Sequence, residues 1–171
     1  FEDLEFNEKI YQQRLERTIE LFKKLKAEAN LDRMARALEK MATQQDSLAM
    51  QQQNNLSEQQ DVQQALEKIK ESIDDLTSDP PKNRKEDLES LQQELQKQSD
   101  ALEKQMNDLM DEMKKTDSEE NRSQQAEQQK DMAKKMRSMQ QSIQQQQQSM
   151  QGKQLNINIA ALKSILNGLI V

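Results

Sequence analysis

An all-α fold of long amphipathic helices, packed as an elongated antiparallel bundle or coiled coil, is what this sequence predicts. Three observations carry that expectation. Apolar and amide residues hold one heptad register from Leu31 to Leu76. The 171 residues contain only two Gly and two Pro, so turn punctuation is scarce. Hydrophobic residues make up 33% and aromatics 2%, against the roughly 45–50% apolar content of a globular domain. Helices with narrow apolar stripes suit such a composition, whereas a thick globular core does not.

The first element expected is a helix over residues 1–30. Its stripe is Tyr11, Leu15, Thr18 or Ile19, Phe22, Leu25 and Ala29. The following stripe begins at Leu31, one residue early for that phase. Asn30 is suited to leave a helix or to cap the next one, so the sequence predicts a turn or kink at Asn30 to Asp32.

Residues 31–151 read as the long-helix bundle. The seam of its first part is Leu31, Met34, Leu38, Met41, Gln45, Leu48, Gln52, Asn55, Gln59, Val62, Leu66, Ile69, Ile73 and Leu76. Steps alternate between three and four, which places these side chains on one stripe wound against a partner. Two readings compete in the middle. Ser57 with Gln60 resembles a capping box and would make a hairpin of two equal arms. The unbroken phase favours one helix from Leu31 to about Thr77.

Pro80-Pro81 forces a turn at 78–82, because proline removes a donor and pushes the preceding residue out of the helical region. A third helix is expected from about Asn83 to Thr116. Its stripe is Leu88, Leu91, Leu95, Gln98, Leu102, Met106, Leu109 and Met113, with a stutter at Leu102 to Met106. Residues 116–122 carry nothing apolar, which places a second turn near 117–121. A fourth helix, with Ala126, Met132 or Ala133, Met136, Met139, Ile143 and Met150, runs to Gln151 before Gly152. Residues 152–171 then supply a short apolar helix faced by Ile159, Leu162, Ile165, Leu166, Leu169 and Ile170.

Composition excludes several chemistries. There is no Cys and no His, which removes disulfides, zinc sites and Cys- or His-based nucleophiles. Net charge is −6 with both signs interleaved, so no basic face awaits a nucleic acid. No run approaches the ~18–20 apolar residues of a membrane span, which confines membrane contact to segments outside this chain. The clusters Met106, Met110, Met113 and Met132, Met136, Met139 have a spacing that could hold Cu(I). The same spacing is that of a core stripe, and methionine fills loose cores well. Carboxylates fall mostly off the stripes. The sequence therefore predicts no catalytic residue, no cofactor and no metal. Glutamines at seam positions (Gln45, Gln52, Gln59, Gln98) read either as register-fixing residues or as a wet, marginal seam.

The segment QRLERTIELFKKL (Gln13 to Leu25), the Gln-rich heptads after Leu31 and the ending NINIAALKSILNGLIV (Asn156 to Val171) resemble a bacterial family, domain-of-unknown-function family 4175. The resemblance implies an envelope protein with membrane helices near its N-terminus and a long Gln- and Met-rich helical region, of which this chain would be a late piece. It brings no catalytic residues. Location in the bacterial cell envelope, periplasmic or membrane-anchored, is the expectation, with the cytoplasm as the other possibility.

Function is then expected to be structural. The chain reads as a helical rod that scaffolds an envelope assembly through helix–helix packing or self-association. Its contact residues would be Leu31, Met34, Leu38, Met41, Leu48, Val62, Leu66, Ile69, Ile73, Leu76, Leu162, Ile165, Leu166 and Leu169. The competing expectation is an amphipathic-helix protein that binds reversibly to a lipid surface.

Overall fold

The computed structural model describes residues 2–115 and 118–151. They form four α-helices in an antiparallel bundle: α1 (Glu2–Gln51), α2 (Leu56–Asp75), α3 (Lys85–Lys115) and α4 (Glu119–Gln151). A single 3-10 turn, Lys82–Arg84, leads into α3. The expected all-α bundle is the observed fold. The terminal segment from Gly152, with Leu162, Ile165, Leu166 and Leu169, lies outside the described residues.

Two expected boundaries are corrected. No turn or kink occurs at Asn30 to Asp32, because α1 runs unbroken for 50 residues, ~75 Å at 1.5 Å per residue. Neither Gly nor Pro interrupts it, and a shift in side-chain phase does not strain the helical backbone. Asn30 instead uses its side chain outward, donating from Nδ2 to the Ser72 carbonyl of α2 at 3.3 Å.

The second correction concerns Leu31 to Thr77, which is a hairpin and not one helix. The chain leaves α1 at Gln52, whose φ of 46° is in the left-handed region. It re-enters a helix after Asn55, not after Ser57. The Asn55 carboxamide oxygen accepts from the Glu58 backbone N–H at 3.1 Å, the N-cap arrangement that satisfies an orphan donor. Asn54 fastens the tip by donating to the Met113 carbonyl of α3 at 2.7 Å. The preserved heptad phase follows from pairing within the hairpin. Gln45 lies against Gln59, and seven-residue steps from there set Leu38 level with Leu66 and Leu31 level with Ile73. Two half-length stripes thus bury each other, where one rod would leave both uncovered.

The turn at 78–82 stands as expected. Leu76 N–H and Ser78 N–H bond back to Ile73 and Asp75 carbonyls, and Pro81 initiates the 3-10 turn. In α3 the stripe shifts by one residue at its centre: Ser99 is fully buried and Gln98 only partly. The stutter therefore falls one turn earlier, at Leu91–Leu95–Ser99. Ser118 caps α4, its hydroxyl oxygen accepting from Asn121 N–H and its carbonyl from Arg122 N–H.

The core joins all four helices through one cluster. It includes Leu31, Leu38, Leu66, Ile73, Leu88, Leu95, Leu102 and the methionines Met34, Met41, Met106, Met132, Met136 and Met139. The two methionine groups are core, at 0–6% exposure. Helices α1 and α4 share the most extensive contact of any helix pair among the described residues. Small residues at heptad spacing, Ala35, Ala42 and Ala49 on α1 and Ala126 and Ala133 on α4, are all buried.

Gln52 has no β-carbon-free alternative at its left-handed position, a cost of roughly 1–2 kcal/mol for an L-residue. Gln52→Gly is expected to raise stability by about 0.5–1 kcal/mol, because glycine's larger unfolded-state entropy offsets part of the relief. Urea denaturation measures it, and unchanged or lowered stability would contradict the strained-turn account.

Candidate interaction surface

The structure divides the expected contact residues into two groups. Leu31, Met34, Leu38, Met41, Leu48, Val62, Leu66, Ile69, Ile73 and Leu76 are all buried in the bundle interior. They face other helices of the same chain. What remains open among the described residues, besides Met50, is a stripe within the first 22 residues. There Leu4 (65%), Tyr11 (68%), Leu15 (48%), Ile19 (44%) and Phe22 (61%) are exposed, and so is Phe6 (65%). An exposed run of aromatic and aliphatic side chains on one helix marks an interaction site more strongly than scattered single residues do.

Register explains why this stripe escapes the core. Leu4, Tyr11, Thr18 and Leu25 precede Asp46 by whole heptads. Asp46 lies on the flank of α1 that faces α4, where its Oδ2 accepts from an Arg137 amino group at 2.6 Å. The stripe is thus rotated from the seam of Leu31 and Leu38 toward, and past, α4. Phe6 lies on the opposite side, in the phase of Gln13, Glu20 and Ala27. The base of this arm is tied to the proline turn. Glu20 accepts from the Lys82 backbone N–H at 2.9 Å, and Lys23 pairs with Asp79 at 3.2 Å.

Inside the bundle the polar seam is organised. Gln59 Nε2 donates to Gln45 Oε1 at 2.6 Å, and Gln129 Nε2 donates to Gln59 Oε1 at 3.2 Å. Gln45, Gln59 and Gln129 are 0–2% exposed. Amides from α1, α2 and α4 therefore form one buried layer. Buried amides are costly when unpaired, so this layer favours the single register that pairs them. Of the other seam glutamines, Gln52 is exposed in the turn and Gln98 is half-buried.

Surface ion pairs stitch neighbouring helices. Lys70 of α2 bonds Glu103 and Asp100 of α3. Its ammonium is held above the ordinary lysine value, chiefly by the Glu103 hydrogen bond and then by Asp100. Asp131 of α4 accepts from the Gln105 amide of α3 at 2.9 Å. That bond, followed by Lys135, holds its carboxyl below the usual range.

Among the described residues, no group of three His, Cys, Asp or Glu side chains could hold a metal, and no helix is long and apolar enough to cross a membrane. The clefts are open grooves, such as one of about 320 Å³ lined by Lys23, Lys26, Arg33, Asp75 and Asp79, where opposite charges alternate. No family model, curated protein or solved structure matches the chain.

Two outcomes are expected here. Gln59→Ala strands the Gln45 and Gln129 amides and should cost about 1–3 kcal/mol. Replacing all three glutamines by Leu should recover that loss, since apolar replacement of a whole buried polar set is often neutral or stabilising. Paired urea titrations decide, and a triple variant weaker than Gln59→Ala would refute the account.

The second outcome concerns pH. Lys70 is raised on folding, so its contribution is complete below the unfolded value near ~10.4 and is lost as pH climbs through the folded one. Asp131 is lowered, so its contribution is complete above ~3.9 and is lost as pH falls through its folded value. With no histidine to titrate between, the melting midpoint should be flat from about pH 6 to 9 and decline on both sides. Lys70→Met should blunt the alkaline decline and Asp131→Asn the acid one in thermal melts.

Proposed function

We propose that this chain is a non-enzymatic structural module, a helical rod that scaffolds a bacterial cell-envelope assembly through helix–helix contacts. The observation that carries the reading is α1 itself. It is one continuous helix whose N-terminal part bears exposed apolar side chains on two opposite sides, Tyr11, Leu15 and Phe22 on one and Phe6 on the other. A single partner helix covers only one side, so the arm is built for more than one contact. Placement in the envelope rests on the resemblance to domain-of-unknown-function family 4175.

The competing reading is reversible binding to a lipid surface. Residues 2–22 carry six acidic and three basic side chains and no Trp. Such an arm is repelled by anionic lipid, and it lacks the basic flanks of interfacial helices. This balance favours a protein partner.

The test is site-specific photocrosslinking from position 6 in bacterial cells. The expected result is a protein adduct of defined mass in the envelope fraction, lost with Ile10→Asp introduced on the same side. Lipid adducts alone would establish the lipid reading. An adduct confined to the cytosolic fraction, or none, would overturn the scaffold reading.

A further inference from the structure

We infer that the α1 arm pairs with the arm of a second copy of this chain, antiparallel, through the stripe of Leu4, Tyr11, Leu15 and Phe22. The inference does not depend on the envelope reading.

The stripe faces outward. Glu8, Leu15 and Phe22 share the heptad phase of Arg36, Thr43 and Met50, all exposed. Leu4, Tyr11 and Thr18 share that of the exposed Asp32 and Glu39 and the half-buried Asp46. The buried seam of Leu31 and Leu38 lies in another phase. A second helix can therefore lie on the stripe without displacing α2, α3 or α4. The backbone beneath is already helical from Glu2 onward, so pairing does not carry the cost of starting a helix.

The stripe is complementary to itself when one copy is reversed. Leu4, Glu8, Tyr11, Leu15, Thr18 and Phe22 step by four and three, the seam of a two-stranded coiled coil. Reversing one helix brings the two seam positions level only with each other. Setting Leu4 level with the second copy's Phe22 then sets Tyr11 level with Leu15 and Glu8 level with Thr18. Every apolar seam residue meets an apolar one, and polar meets polar. A slip by one heptad sets Glu8 against Tyr11 in one direction and against Leu25 in the other. The paired length, Leu4 to Phe22, is 18 steps or ~27 Å, and the two bundles leave it at opposite ends.

Charge selects the same direction. Residues 2–8 carry four acidic side chains and no basic one, whereas residues 14–26 carry five basic and two acidic. An antiparallel pair lays each acidic end along the other copy's basic stretch. A parallel pair stacks four acids on four and puts Glu8 against Glu8 in the seam, where like charges are costly. The like-charge meeting nearest the two-fold axis is Arg14 with Arg14. Each of these guanidiniums stands one turn from the level of the other copy's Glu8, the carboxylate that pairing would otherwise cover unpaired.

A pair this short belongs with small, reversible interfaces, so the full chain should pass from one-chain to two-chain mass on the order of micromolar concentration. Sedimentation equilibrium reads the mass. Tyr11→Asp with Leu15→Asp should weaken the association about a hundredfold or more, while Phe6→Asp, on the other side of the helix, should leave it unchanged. Helicity and thermal midpoint of dilute samples should hold in both variants, since these side chains lie outside the core. With no native cysteine, one spin label per chain reports only distances between copies. The antiparallel register sets labels at Gln12→Cys ~3 Å apart along the axis and labels at Asn7→Cys ~18 Å apart, beyond an interhelical spacing of about 8–10 Å and the reach of the labels. A one-chain mass at every concentration overturns the inference. So does a mass that the Tyr11, Leu15 double variant leaves unchanged, or equally short distances at both label sites, which identify a parallel pair.

Discussion

The long contact of α1 with α4 holds the bundle shut. Each helix carries a stripe too narrow to be stable alone in water, so each must be covered by its neighbours. Two hairpins, α1–α2 and α3–α4, cover half of every stripe. The remaining half is closed only when the first helix meets the last. Buried alanines at Ala35, Ala42 and Ala49 on α1 and at Ala126 and Ala133 on α4 add small side chains to both helices. Small side chains bring backbones together and maximise dispersion contact along the seam. The long methionines on either side then fill the space that the alanines leave, which suits their unbranched, adaptable chains.

Selectivity among alternative pairings comes from a different source. Leu, Met and Ile stripes would tolerate a slip by one heptad with little loss. The layer of Gln45, Gln59 and Gln129 does not, because a slip buries amides against thioethers and methyls. The chain accepts a costlier core at one level to make one register preferable. At the hairpin tip, Asn54 and Asn55 serve the same end from outside, one bonding across to α3 and the other starting α2. Surface pairs such as Lys70 with Asp100 and Arg137 with Asp46 add direction more than strength, since exposed ion pairs contribute little.

Sequence reasoning reads best where a residue type has one physical meaning. Pro80-Pro81 admits no helix, and the chain turns there. The stripes of α3 and α4 are the core, except that Ser99 takes the place of Gln98. It reads poorly where one pattern has two causes. A continuous heptad phase through Gln52 and Asn55 fits a rod, yet it equally fits a hairpin whose arms pair in antiparallel register. The one-residue slip before Leu31 looks like a break, but helical backbone is indifferent to which face is apolar. Nothing local marks the slip as a change of partner. Ala35, Ala42 and Ala49 carry no weight in the sequence expectations, although they stand seven apart. The meaning of that spacing depends on which helix lies opposite, and that is a property of the closed bundle. The same holds for the arm, since Tyr11 and Phe22 read as core spacing until the length of the other helices is known.

An uninterrupted α1 also has a mechanical meaning. Its outer part and its buried part are one beam, supported where Glu20 and Lys23 meet the proline turn at Lys82 and Asp79. That support acts as a fulcrum. A sideways load at the tip arrives at the alanine seam as a peeling force, applied to small contacts one after another. A load along the axis arrives as shear, resisted by the whole seam at once. The molecule is therefore compliant to bending at its arm and stiff to tension along it, an anisotropy set by the single fact that no glycine or proline interrupts the first fifty residues.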